Sequence, residues 1–194
     1  MSESSSLVSS RRNFLGLIGS ATLGALMVPG LSSDALAGVA GNARIERGVR
    51  RISFRNQHTG EIFSGVYRVG DKYLPDAFDK INVVLRDFRS DEIFPIDPRV
   101  IDIIYSVHQM TGRSDPYEVL SGYRCPKTNK QLRSNSEGVA KNSLHMTGQA
   151  IDLRMPGYSS YNIRSLAVSL KAGGVGYYPK SDFVHMDSGI VREW

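Results

Sequence analysis

The sequence predicts an α+β fold, with helices packed on a small, mainly antiparallel sheet. Two patterns carry that reading. Short runs rich in β-branched and aromatic residues, such as Ile62-Phe63-Ser64-Gly65-Val66-Tyr67 and Phe183-Val184-His185-Met186, are bounded by turn residues. Between them, apolar residues recur three and four apart, as in Phe78, Ile81, Leu85 and Phe88.

In chain order, two β-rich runs between Arg51 and Val69 flank His58-Thr59-Gly60 and read as a hairpin. A helix follows Pro75-Asp76 and carries the Phe78 to Phe88 stripe. A second helix opens at Asp97-Pro98, a capping residue then a first-turn proline, and stops at Thr111-Gly112. A strand at Tyr117 to Ser121, a helix near Lys127 to Arg133 and a polar loop from Ser134 to Asn142 come next. The last elements are a strand around Ala150 to Leu153, a helix from Ser160 to a stop at Gly173-Gly174, and strands at Val175 to Tyr178 and Phe183 to Asp187.

The first residues read as an address. Arg11-Arg12 stand directly before the uncharged run from Phe14 to Val28, and Ala35-Leu36-Ala37 follows. These are the basic region, apolar region and small-residue cleavage site of an export signal, here of twin-arginine type. A retained membrane anchor is the alternative, but four glycines between Phe14 and Leu31 weaken a spanning helix. Residues 1–37 are therefore expected to be a signal peptide and residues 38–194 the functional domain, placed in the periplasm.

The 24 basic and 19 acidic residues give a net charge of +5, spread without a Lys/Arg block. Such a field favours anionic partners in general. Export and the lack of a concentrated basic helix disfavour nucleic acid, and membrane contact is expected only through an uncleaved export segment. Cys125 is the single cysteine, so no intramolecular disulfide forms.

A catalytic metal site needs about three side-chain ligands and one open position. His145 and Asp152 stand seven apart in Ser143-Leu144-His145-Met146-Thr147-Gly148-Gln149-Ala150-Ile151-Asp152. His185 lies in an apolar run, where an unpartnered imidazole costs desolvation. Taken singly these are weak signals: a strand histidine is more often a hydrogen-bonded core residue, and the Ser-Gly of Ser121-Gly122-Tyr123-Arg124 is usually only a turn.

Read in order, SGYRCPKTN, SLHMTGQAID and VGYYPKSDFVHMDSG resemble three successive blocks of the murein endopeptidase K (YcbK-like) family. That family belongs with the lysostaphin, D-alanyl-D-alanine peptidase and hedgehog-like zinc folds. The resemblance implies a zinc peptidase acting on peptidoglycan peptides, with His145, Asp152 and His185 as Zn²⁺ ligands. It implies Arg124 as the group that grips a substrate carboxylate or steadies an oxyanion. By analogy with D-alanyl-D-alanine peptidases, which carry an acid three residues before the last histidine, Asp182 ranks first as catalytic base. Asp187, two residues beyond His185, ranks close behind, its alternative role being to orient a ligand. Cys125 is read as a buried, inert thiol, His58 and His108 as a turn and a helix-face residue, and Tyr177 and Tyr178 as core. A D-Ala carboxypeptidase and a non-catalytic, zinc-stabilised wall-binding module are the alternatives to an endopeptidase. A serine or cysteine peptidase is less favoured, since Cys125 has no histidine partner that the zinc reading does not use better.

Overall fold

A computed structural model describes residues 48–135 and 138–194. The export segment expected at residues 1–37 lies outside the described residues. The first hairpin pairs β1 (Val49–Asn56) with β2 (Ile62–Val69). Asn56 Oδ1 accepts the backbone N–H groups of His58 and Thr59, and Gly60 takes φ 75°, so the turn has the chemistry its residues suggest. The short β3 (Lys72–Tyr73) leads to helix α1 (Pro75–Val84), then α2 (Pro98–Thr111), β4 (Tyr117–Ser121) and α3 (Pro126–Asn135). A 3₁₀ turn (Leu144–Thr147), β5 (Ala150–Arg154), α4 (Ser160–Leu170), β6 (Gly174–Tyr178), a second 3₁₀ turn (Pro179–Ser181), β7 (Phe183–Asp187) and β8 (Arg192–Glu193) complete the order.

The strands form one mixed, eight-stranded sheet in the order β3-β2-β1-β4-β5-β7-β6-β8. Among the described residues, only β1 with β4 and β6 with β8 run parallel. The sheet is thus mainly antiparallel, as expected, but wider, because β3 and β8 have two residues each and leave little sequence pattern.

Side-chain alternation divides β5 and β7 into two faces. Ile151 pairs with Met186 and Leu153 with Val184, and all four are buried in the core with Ile101, Ile104 and Ile163 of α2 and α4. The other face holds Ala150 opposite Asp187 and Asp152 opposite His185. The helices therefore cover one face, and the polar residues gather on the reverse. Burying one of these aliphatic side chains stabilises the fold by about 1.5–3 kcal/mol, which fixes the register and so fixes which residues face the site.

Three boundaries differ from the sequence reading. Helix α1 stops at Val84, before Phe88, because Asp87 accepts the N–H groups of Arg89 and Cys125 and turns the chain. Phe88 stacks on His58, with ring centroids 3.8 Å apart. Helix α4 ends at Leu170 and is capped by Lys171, which takes φ 51°, ahead of Gly173-Gly174. Those glycines serve close approach: a Cβ on Gly173 would lie 1.7 Å from the Asp187 carbonyl oxygen. Helix α3 extends through Ser134 and Asn135, which were assigned to the polar loop.

Asp87 is buried, and burial alone would raise its pKa, but hydrogen bonds from Thr128, Cys125 and Arg89 outweigh that and lower it below its ordinary value of 3.8. Replacing it in Asp87→Ala orphans two backbone donors and is expected to cost about 3 kcal/mol in a urea unfolding experiment. A depressed carboxyl adds stability above its unfolded pKa and loses it as pH falls through the folded value. The wild-type protein should therefore lose more stability than Asp87→Ala on acidification below about pH 4.

Candidate metal centre

Asp152 and His185 face one another directly across the β5–β7 ladder. His145 reaches them from the 3₁₀ turn that precedes β5. Ser143 caps that turn, its Oγ accepting the His145 N–H, and Gly148 closes it with φ 66°. Gly148 is required twice over, because a Cβ there would also lie 2.2 Å from the Pro95 carbonyl oxygen. Asp97 completes the support: its N–H donates to Gly148 O, and its carboxylate accepts Arg99 N–H at the start of α2 and the Ser188 hydroxyl beyond β7.

The donor atoms converge closely. His145 Nε2 lies 3.2 Å from His185 Nδ1 and 3.2 Å from Asp152 Oδ2, and His185 Nδ1 lies 2.9 Å from Asp152 Oδ1. All three residues are buried. The outer ring nitrogens are also committed. His145 Nδ1 donates to Gly122 O at 2.7 Å, and His185 Nε2 to Asp187 Oδ2 at 3.0 Å. These bonds fix the tautomers, so each imidazole turns a lone pair toward the Asp152 carboxylate.

Such a group attracts positive charge. Burial opposes charge on His185, but hydrogen bonds to Asp152 and Asp187 prevail and raise its pKa to about 9. His145 is pushed down, chiefly by burial, against the attraction of Asp152. Burial raises the Asp152 pKa, yet the two histidines hold it far below the usual carboxylate range. A tetrahedral Zn²⁺ with bonds of about 2.0–2.2 Å holds its ligand atoms about 3.3 Å apart. The donor types and spacing therefore fit a divalent metal.

Around the three candidate ligands lies a layer that the local sequence did not disclose. Gly122 passes so close to α1 that a Cβ would meet the Leu85 carbonyl oxygen at 2.4 Å, and its own carbonyl orients His145. The Ser121-Gly122 pair is thus more than a turn. Asp187 is fully buried and accepts from His185, Arg192, Gly174 and Gly189, with Arg192 Nη2 at 2.7 Å from Oδ2. Burial raises its pKa, but these donors, led by His185 and Arg192, hold it well below the normal range.

Arg124 lies 3.5 Å from Asp152 Oδ2 and 3.2 Å from Ser121 Oγ, while its buried Nε has no hydrogen-bond partner. Asp182 is exposed, takes φ 48° and accepts the Ser160 hydroxyl at 2.5 Å. A cleft of about 260 Å³ opens over the cluster, lined by Arg124, Ser143, His145, Asp152, His185 and three aromatic residues, Tyr178, Phe183 and Trp194. Neither Asp182 nor Asp187 lines it. Tyr178, expected in the core, belongs to this lining. Cys125 stands apart, its Sγ accepting Thr128 N–H at the start of α3. His108 donates to, or accepts through, no cluster residue; its Nε2 meets Asp115 O. The larger groove of about 1090 Å³ between β2 and α1 shares no residue with the cluster.

The family model described as "Peptidoglycan L,D-endopeptidase MepK" matches residues 44–194. The chain belongs to the MepK family. A relative from Escherichia coli K12, named "Peptidoglycan L,D-endopeptidase MepK", is 43% identical over 145 residues, which is 75% of this chain and 80% of the relative. A relative from Haemophilus influenzae, named "Probable peptidoglycan L,D-endopeptidase MepK", is 41% identical over 146 residues, 75% of this chain and 78% of the relative. Together with the geometry, MepK-family membership turns the buried His-Asp-His group into a specific expectation. His145→Ala, Asp152→Ala and His185→Ala should each abolish stoichiometric divalent-metal binding in calorimetry. Asp187→Asn, which unsettles the tautomer of His185 and leaves Arg192 without its charge partner, should weaken it about 10- to 100-fold.

Proposed function

We propose that this chain is a zinc-dependent endopeptidase that hydrolyses peptide cross-links of peptidoglycan, with His145, Asp152 and His185 as the metal ligands. The observation that carries the reading is the convergence of two pre-oriented imidazole lone pairs and one carboxylate beneath a cleft, in a member of the MepK family. The relatives' name specifies an L,D-endopeptidase, so a bond between an L and a D centre within a cross-link is the proposed target. The Arg11-Arg12 segment and Ala35-Leu36-Ala37 support export to the periplasm, where that substrate lies.

A zinc ion held by His145, Asp152 and His185 would supply Lewis acidity and a water acidic enough to give a nucleophile near neutral pH. The chain's own residues prepare the site. Gly122 O and Asp187 hold the two imidazoles in the ligating tautomer. Arg124, which lines the cleft, offers its guanidinium to a substrate carboxylate or to the oxyanion that forms on the scissile carbonyl.

Asp187 has its acceptors filled and is sealed from the cleft, so its role is to orient His185. The base role is assigned to Asp182, which is exposed and precedes the cleft residue Phe183. Its carboxylate must leave Ser160 Oγ to take a proton from water and pass it to the leaving amine.

The test is incubation of the purified protein with defined cross-linked muropeptides, with and without a chelator, and mass analysis of products. Cleavage of the cross-link that stops on chelation and returns with zinc is expected. Release of terminal D-Ala alone would instead make the chain a carboxypeptidase, and binding without cleavage a wall-binding module. In the same assay Asp182→Asn should lower kcat about 10²- to 10⁴-fold with metal content unchanged. Wild-type kcat in that variant would remove Asp182 from the mechanism.

A further inference from the structure

The groove between β2 and α1 lies apart from the metal centre, and an open edge of the sheet runs along it. Asn56 N–H donates to Glu61 O at 2.8 Å, which sets the phase of the β1–β2 ladder. Alternation then turns the backbone groups of Phe63 and Gly65 toward β1 and those of Ile62 and Ser64 outward. On that outer side β3 pairs only with Arg68 and Val69. Helix α1 runs back alongside β2, tied at its start by Leu74 N–H to Tyr67 O and beyond it by Asn56 Nδ2–H to Val84 O. The space left between edge and helix is about 1090 Å³, with Phe63, Leu74, Ala77 and Val83 among its apolar lining.

Sheet edges are normally blunted by lysine, proline or a bulge, because their unpaired N–H and C=O groups recruit other strands. Residues 62–66 carry no such device: they include no charged residue or proline, and the register shift against β1 falls beyond them, at Tyr67. Ile62 is 63% exposed. The rim of the groove is acidic. Asp76 and Asp79 are exposed on α1 and form no ion pair among the described residues, while Glu61 is held by Arg86 and Lys80 is the single cation of the lining. On a chain of net charge +5 this is a local reversal of sign. Two apposed copies of the edge would bring like charges together, so the rim disfavours self-pairing and favours a basic guest.

We propose that this edge docks an extended, lysine- or arginine-bearing segment of a partner protein, which adds a strand beside β2 in line with β3. Main-chain bonds to Ile62 and Ser64 supply affinity, and alternate side chains of the guest supply selection. Those turned toward α1 meet Leu74, Ala77 and Val83, and basic ones reach Asp76 and Asp79. The groove shares no residue with the metal cleft, so a docked segment leaves the cleft open to substrate. The assignment stands independently of the endopeptidase reading.

The probe is a synthetic peptide, Lys-Ile-Thr-Val-Lys-Val-Lys, capped at both ends, with a control in which glutamate replaces each lysine. Added to the isotope-labelled protein, the basic peptide should bind saturably and slow amide hydrogen exchange at Ile62 and Ser64 about tenfold or more, and the acidic peptide should do neither. Replacing both rim acids, in Asp76→Asn with Asp79→Asn, should weaken binding about fivefold, and added salt should weaken wild-type binding in the same direction. Ser64→Pro removes an outward N–H at an edge where proline leaves the β1 ladder intact, and should abolish binding. Circular dichroism establishes that each variant is folded. If Ser64→Pro does not fold, the rim variant and the exchange data decide the matter. No saturable binding of the basic peptide, equal binding of the two peptides, or binding without protection of Ile62 and Ser64 overturns the proposal. A dimer in sedimentation with those two amides already protected assigns the edge to a second copy and overturns it as well.

Discussion

The site depends on one electrostatic constraint: two imidazole lone pairs and a carboxylate are held face to face where water is scarce. Each group alone would be costly to bury. Together, at 2.9–3.2 Å, they form a demand for positive charge that a proton can meet weakly and a divalent ion can meet well. The fold enforces this arrangement through strand register. Ile151, Leu153, Val184 and Met186 lock β5 against β7 from the core side, and the same pairing sets Asp152 against His185 on the reverse. A one-residue slip would send the ligands into the core and the aliphatic residues into the cleft. Hydrophobic burial and ligand placement are thus the same structural fact.

The surrounding layer converts proximity into direction. His145 is aimed by a carbonyl on Gly122, which is free to approach α1 only because it lacks a side chain. His185 is aimed by Asp187, and Asp187 is neutralised by Arg192 from the final strand. Asp97 ties the 3₁₀ turn carrying His145 to the N-terminus of α2 and to Ser188 beyond β7. Three separate segments of the chain therefore share the work of holding two nitrogens in position. Preorganisation of this kind would keep the ordering cost out of the proposed metal binding and out of the reaction.

Much of this was legible in the sequence, for identifiable reasons. The strands Tyr117–Ser121 and Phe183–Asp187 stand where their runs of β-formers and bounding turn residues put them, and α2 where Asp97-Pro98 and Gly112 mark its ends. His145, Asp152 and His185 were weak signals singly and could be nominated only through the family resemblance of the three ordered blocks, and the structure brings them together. What escaped was decided by contacts remote in sequence. Phe88 continued the helical spacing, but Asp87 bends the chain to reach Cys125. Gly122 looked like a turn because the Leu85 carbonyl that excludes a side chain is not a neighbour in sequence. Arg192 and Trp194 belong to a two-residue strand and its extension, too short for any periodicity to register. Tyr178 looked like core because an aromatic in a strand gives no sign of which face it occupies. The acids on either side of His185 could be ranked but not told apart, since burial and donor count separate them and neither is written in spacing.

The central claim is tested most directly by diffraction from crystals grown with zinc, recorded on both sides of the zinc absorption edge. A single anomalous peak is predicted within about 2.0–2.2 Å of His145 Nε2, an Asp152 oxygen and His185 Nδ1, with Asp187 retaining His185 Nε2. A peak elsewhere, or ligation that leaves out any of the three residues, would contradict the account.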